Sequence, residues 1–118
     1  MNNSSLSSEV LAELLTLTME VGQWGTTVYR NQLGQRHRIL GPAVIDSNGY
    51  KAWYVDGQLH RTDGPAIIYP GGDMYWYQND QLHREDGAAV IYSNGLQRWF
   101  LNCKELTQYE FNERIQSP

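Results

Sequence analysis

His60-Arg61-Thr62-Asp63-Gly64-Pro65-Ala66 returns 23 residues later as His83-Arg84-Glu85-Asp86-Gly87-Ala88-Ala89, and stands 23 residues earlier as His37-Arg38-Ile39-Leu40-Gly41-Pro42-Ala43. The second half of the unit is in phase too: Trp53, Trp76 and Trp99 recur at the same spacing, with Gly49, Gly72 and Gly95 four residues before each. A fixed period of this length marks one supersecondary unit copied in tandem. Each histidine therefore has to be read first as a repeat position and only then as a reactive group.

Each unit contains two short runs rich in β-branched and aromatic residues, such as Ala66-Ile67-Ile68-Tyr69 and Met74-Tyr75-Trp76-Tyr77. Turn signals bound them. Ser47-Asn48-Gly49, Gly71-Gly72 and Asn94-Gly95 form one set, and Asp56-Gly57, Asn79-Asp80 and Asn102-Cys103 the other. Asn-Gly and Asp-Gly steps supply the positive φ of tight hairpins. The expected fold is mainly β: an antiparallel β-meander of about six to eight strands pairing with their sequence neighbours.

Outside the repeats the period changes. Ser7 or Ser8 with Glu9 opens a helix that places Val10, Leu11, Leu14 and Leu15 on one face, and Gly22 offers the stop. Thr107-Gln108-Tyr109-Glu110 is a capping box, with Leu106 and Phe111 at the spacing of a hydrophobic staple. The chain thus reads as one domain over 1–118, with an N-terminal helix at 7–21, a repeat sheet at 25–106 and a C-terminal helix at 107–116. Either the N-terminal stripe covers a sheet face as a lid or it pairs with a second copy in a homodimer.

The first and last copies are degenerate. Arg30 stands at the position of Trp53, leaving Trp24 or Tyr29 to take over its packing, and Leu106 stands where the fourth histidine would fall.

The unit Trp53-Tyr54-Val55-Asp56-Gly57, followed by Leu59-His60-Arg61-Thr62-Asp63-Gly64-Pro65-Ala66, resembles the MORN repeat, in a variant found in small proteins of bacteriophages and large viruses. The ending from Leu101 to Phe111 is also similar, and the resemblance spans about residues 25–112. Two positions depart from it: Leu40 stands where Asp63 and Asp86 do, and Ala88 replaces Pro65. The resemblance implies a β-meander used for binding. No single activity belongs to such a fold.

Composition narrows the function classes. Lys and Arg number 9 against 13 Asp and Glu, a formal charge of −4, so direct binding of nucleic acid is not expected. The lone Cys103 excludes an internal disulfide and suits a reducing compartment, so the cytoplasm is the expected location. No apolar stretch is long enough to cross a membrane, and the polar N-terminus lacks the pattern of a signal peptide.

Three histidines invite a metal reading, but copies two strands apart place equivalent rings about 9–10 Å from one another, too far to share one ion. No nucleophile, base and orienting acid fall together, so no catalytic residue, cofactor or metal ligand is assigned.

Two readings of the repeat positions remain open. In the structural one, Arg61 pairs with Asp63 or Asp86 and the imidazoles donate to backbone, fixing register. In the functional one, Arg38, Arg61 and Arg84 with His60 and His83 form a basic row for an anionic partner, and Trp53, Trp76 and Trp99 on one sheet face or Tyr54 and Tyr77 on the other supply partner-binding anchors. The resemblance implies, as the leading expectation, a non-enzymatic, phage-encoded accessory protein that inhibits a host protein complex, for instance a CRISPR effector, by steric block or with acids from Asp46 to Asp86 standing in for nucleic acid. The alternatives are a binder of small phosphorylated ligands through the His-Arg row and a structural virion scaffold.

Overall fold

Three two-residue turns set the architecture. Asp56 and Gly57, Asn79 and Asp80, and Asn102 and Cys103 all have positive φ, the signature of the type I′ hairpin. Three wider turns close on Gly49, Gly72 and Gly95, at φ of 102°, 106° and 93°. In the computed structural model, which describes residues 6–116, these turns fold the chain into antiparallel sheet with one helix at each end.

The elements in order are α1 (Ser8–Thr16), β1 (Thr18–Val21), β2 (Thr27–Arg30), β3 (Val44–Ile45), β4 (Lys51–Ala52), β5 (Tyr54–Val55), β6 (Gln58–Leu59), β7 (Ile67–Ile68), β8 (Met74–Tyr75), β9 (Tyr77–Gln78), β10 (Gln81–Leu82), β11 (Val90–Ile91), β12 (Gln97–Leu101), β13 (Lys104–Leu106) and α2 (Gln108–Gln116). Nine strands form one sheet in the order β1-β2-β3-β4-β7-β8-β11-β12-β13, and β5-β6 and β9-β10 are separate hairpins.

The architecture is the expected one, mainly antiparallel sheet with a helix at each end and consistent with a β-meander, and it adds one feature. The strand changes partner at the tryptophan. Trp53 gives its N–H to Ala66, and its carbonyl accepts from His60; Trp76 does the same with Ala89 and His83. The first halves of these two strands, β4 and β8, therefore join the sheet, while the second halves, β5 and β9, turn away into their own hairpins.

The two faces are filled differently. Val44, Ala52 and Ile67 are buried together with Tyr54, Tyr75 and Tyr77 packed on them, and Ala89, Val90 and Phe100 form a second cluster. Tyr50, Tyr69, Tyr75 and Tyr92 stack along this face with ring centres 5.4 to 6.4 Å apart. Burial pushes the phenols of Tyr50, Tyr75 and Tyr77 above their ordinary titration range.

The N-terminal helix is shorter than the 7–21 expected. Ser7 caps it through Val10 N–H, but Leu17 is already extended and residues 18–21 are strand β1, paired from Thr18↔Arg30 to Val21↔Thr27. Thr16 and Thr18 disfavour further helix, and pairing with β2 satisfies the backbone. Gly22 opens the β1-β2 turn instead of ending a helix.

Nor is α1 a lid. Leu11, Leu14 and Leu15 are 47%, 60% and 84% exposed, and Val10 is half-buried. The buried residue of this helix is Glu13.

At the other end the capping box forms as read. Thr107 N–H donates to Glu110 at 2.8 Å and Glu110 N–H to Thr107 Oγ1 at 3.1 Å, while Leu106 and Phe111 are both buried. Helix α2 packs on β12 and β13 and covers that edge.

Candidate functional site

Each copy builds the same polar unit from four positions. The arginine lies flat on the aromatic ring that opens its own repeat: Arg61 is 3.9 Å from the Trp53 ring centre, Arg84 4.0 Å from Trp76, and Arg38 3.9 Å from Tyr29. Tyr29 thus takes the place of the missing tryptophan. The guanidinium Nη1 then donates to the carbonyl four residues on, that of Pro42, Pro65 or Ala88. Its Nε donates to Asp63 at 2.9 Å and to Asp86 at 2.8 Å in the second and third copies. Arg84 holds the Asp86 carboxyl below the usual carboxylate range.

The histidine faces the other way. Nδ1 of His37, His60 and His83 accepts the backbone N–H of Asp56, Asn79 and Asn102, the first residues of the three type I′ turns. This reverses the expectation that the imidazole donates to backbone. A ring whose Nδ1 accepts carries its proton on Nε2 when neutral, so Nε2–H is the free donor. In the third copy Glu85 meets it at 2.9 Å.

These units explain the row as a set of internal staples. Arg61 and Arg84 are neutralised and stacked at home, so neither is a free cation for phosphate. Trp53 and Trp76 are half-buried beneath them. Trp99 has Thr107 where the others have arginine and lies along a shallow groove with Arg98, Glu105 and Glu110. Tyr54 and Tyr77 belong to the opposite face and its core cluster. The tryptophans and the tyrosines thus lie on opposite faces, as their alternation along the strand leads one to expect.

Glu13 escaped the sequence reading. Its side chain is 2% exposed. It accepts a short bond from Ile39 N–H and one of 3.2 Å from Leu40 N–H, with His37 Nε2 3.7 Å away. The first copy lacks the acid of the others at Leu40, and the helix delivers a carboxylate to that loop. The missing acid was the available signal.

Two equivalent grooves separate the three His-Arg loops. One, of about 550 Å³, lies between Arg38–Pro42 and His60–Asp63; the next, of about 480 Å³, lies between Arg61–Gly64 and His83–Asp86. Exposed large apolar side chains gather elsewhere. Ten of the fourteen lie in residues 6–40, including Leu14, Leu15, Met19, Val21, Trp24 and Leu33. Strand β1 is a sheet edge and all four of its residues are exposed.

Among the described residues no group of three or more His, Cys, Asp or Glu is placed to hold a metal ion, and no helix is long and apolar enough to cross a membrane. Cys103 is an exposed free thiol in a turn. Comparison with protein-family models, with curated proteins and with solved structures returned no match.

Proposed function

We propose that this chain is a non-enzymatic, MORN-like protein-binding module whose contact surface is its N-terminal end. The observation that carries this reading is the concentration of exposed apolar side chains there, beside an uncovered sheet edge. Apolar side chains left in water are costly unless a partner covers them, and an open edge strand invites pairing. The opposite edge is shielded by α2. The Arg-aromatic units act as the frame that holds this surface, with each guanidinium already engaged inside its own repeat.

The motif resemblance supplies the biological setting: a phage accessory protein working in the host cytoplasm that occupies a host protein complex, a defence effector such as a CRISPR complex being the concrete case. Steric block is the mechanism this surface supports. The test is affinity capture from bacterial lysate with mass spectrometry, comparing wild type with Leu14→Glu plus Leu15→Glu and with Trp76→Ala plus Arg84→Ala, all checked for folding. One dominant complex lost only in the leucine variant is the expected result. Loss only in the Trp76 and Arg84 variant would return the interface to the repeat face.

A second copy of the chain competes for the same surface, because α1 and β1 are adjacent and both uncovered. Sedimentation equilibrium separates the two: a monomer mass independent of concentration removes the homodimer.

A further inference from the structure

The first and third copies of the repeat are closed by a helix at the same place. Helix α1 meets Ile39, Leu40 and His37 through Glu13 and borders one cleft with Val55 and Asp56. The end of α2, through Arg114 and Ile115, borders one cleft with His83, Glu85, Leu101 and Asn102, the same positions two repeats on. Between them, His60, Thr62, Gln78 and Asn79 form the equivalent set, and no helix residue lines the groove at His60 and Thr62.

What fills the outer copies is a carboxylate. In the first it is Glu13, buried against Ile39 N–H and Leu40 N–H and 3.7 Å from His37 Nε2. In the third, Glu85 of the loop itself meets His83 Nε2 at 2.9 Å. The middle copy has Thr62 at that position. His60 Nδ1 is committed to Asn79 N–H, so its Nε2–H, together with Thr62 N–H, has no partner among the described residues.

We infer that the middle repeat receives a glutamate or aspartate side chain carried on a helix of the partner protein, in the way the first repeat receives Glu13. This rests on the reading of the chain as a binding module. Copies set two strands apart place the two helix-closed ends roughly 19 Å from each other, and about one helix diameter fits between them. Ile39 and Leu40, 44% and 56% exposed, line the groove beside His60 and Thr62 and give the incoming helix an apolar wall. Asp63 stands where Leu40 does, and its charge is offset by Arg61 Nε at 2.9 Å.

The probe is a stapled helical peptide with the sequence of residues 7–17, titrated into the ¹⁵N-labelled full chain beside the same peptide carrying Glu13→Gln. The expected result is a saturable downfield movement of the Thr62 amide and of His60 Nε2–H. The Ile39 amide, already bonded to the chain's own Glu13, should stay in place, and the glutamine peptide should bind about tenfold more weakly. Thr62→Glu copies the third repeat, so it should fold normally and abolish the response.

No saturable movement at Thr62, equal binding of both peptides, or an undiminished response in Thr62→Glu would each overturn the inference. If that happens while wild type still captures a complex that Leu14→Glu plus Leu15→Glu loses, the binding module stands without this slot. If no complex is captured either, both readings fall.

Discussion

Asn79 donates its backbone N–H to Nδ1 of His60 at 3.1 Å, so the histidine of one loop fastens the turn that follows it by nineteen residues. His37 with Asp56 and His83 with Asn102 repeat the bond at 2.9 Å each. The donor belongs in each case to a residue with φ near +50° at the first position of a type I′ turn. The same turns receive a second bond: Gly57, Asp80 and Cys103 donate to the carbonyls of Arg36, Leu59 and Leu82. The staple thus ties one copy to the next in a protein whose individual strands are mostly two residues long.

Removing the imidazole deprives the turn N–H of its acceptor, at a part-buried contact for His83 and at an exposed one for His60. His83→Ala should cost about 2–3 kcal/mol and His60→Ala less, about 1–2 kcal/mol, because His83 is the buried one. Urea unfolding of both variants against wild type checks the order; equal midpoints for all three would show that the turn holds without its imidazole.

The arginine stack sits where a side chain at the following glycine would go. A Cβ built on Gly64 comes 2.7 Å from Arg61 Cζ, on Gly87 3.0 Å from Arg84 Cζ, and on Gly41 3.3 Å from Arg38 Cζ. Gly64→Ala should therefore be the most damaging of the three at about 1–3 kcal/mol, with Gly87→Ala next and Gly41→Ala mildest. Each guanidinium has to leave its ring to make room, so tryptophan emission should change in the first two variants. Thermal melts read together with emission spectra test the ranking.

Glu13 anchors α1. Glu13→Ala should strand Ile39 N–H and Leu40 N–H at a cost of about 2 kcal/mol, and amide exchange at those two residues should accelerate in that variant. Protease cleavage near residues 16–18 is expected in the variant and not in wild type. Unchanged exchange at Ile39 would mean that the helix is held by something else.

Tyr50, Tyr75 and Tyr77 set the alkaline limit. Burial raises their phenols above 10.0, chiefly because the charged form loses hydration. A group that holds its proton more tightly when folded stabilises the fold fully below its unfolded value and loses that contribution as pH rises through the folded one. Stability should therefore be level in this respect up to about pH 10 and fall above it. Absorbance at 295 nm should show a late phenolate fraction that titrates together with unfolding; titration of all eight tyrosines before any unfolding would contradict this.

Cys103 has φ of 68°, in the turn position that glycine fills at Gly57. Cys103→Gly relieves a left-handed backbone at an exposed site and should raise stability by about 1 kcal/mol. Asp80, at φ 66°, is a poorer target, since its carboxylate accepts Leu59 N–H at 2.8 Å. Denaturation midpoints of the two glycine variants should move in opposite directions.

The local chemistry of the turns was legible in the chain. Asp56-Gly57 and Asn79-Asp80 announce their positive φ because few other pairs tolerate it, and Thr107 with Glu110 announces its cap because both bonds close within four residues. The pairing of Arg61 with Asp63 is also a neighbour relation, two residues apart.

Relations between distant residues were decided by the tertiary structure. That Trp53 changes hydrogen-bond partner at its own peptide unit depends on where Ala66 and His60 come to rest, and periodicity carries no such information. The strand Thr18–Val21 was hidden because Leu11, Leu14, Leu15 and Met19 also satisfy a helical spacing, and only β2 alongside supplies the backbone bonds that make the strand the better state. Glu13 lies 26 residues from the Ile39 amide it accepts from. The sequence by itself determined the period, the turns and the caps, since these follow from bonds and torsions within a few residues. The folded chain alone decided which donors are satisfied and which apolar side chains stay in water, because burial and long-range hydrogen bonding exist only once the copies are stacked.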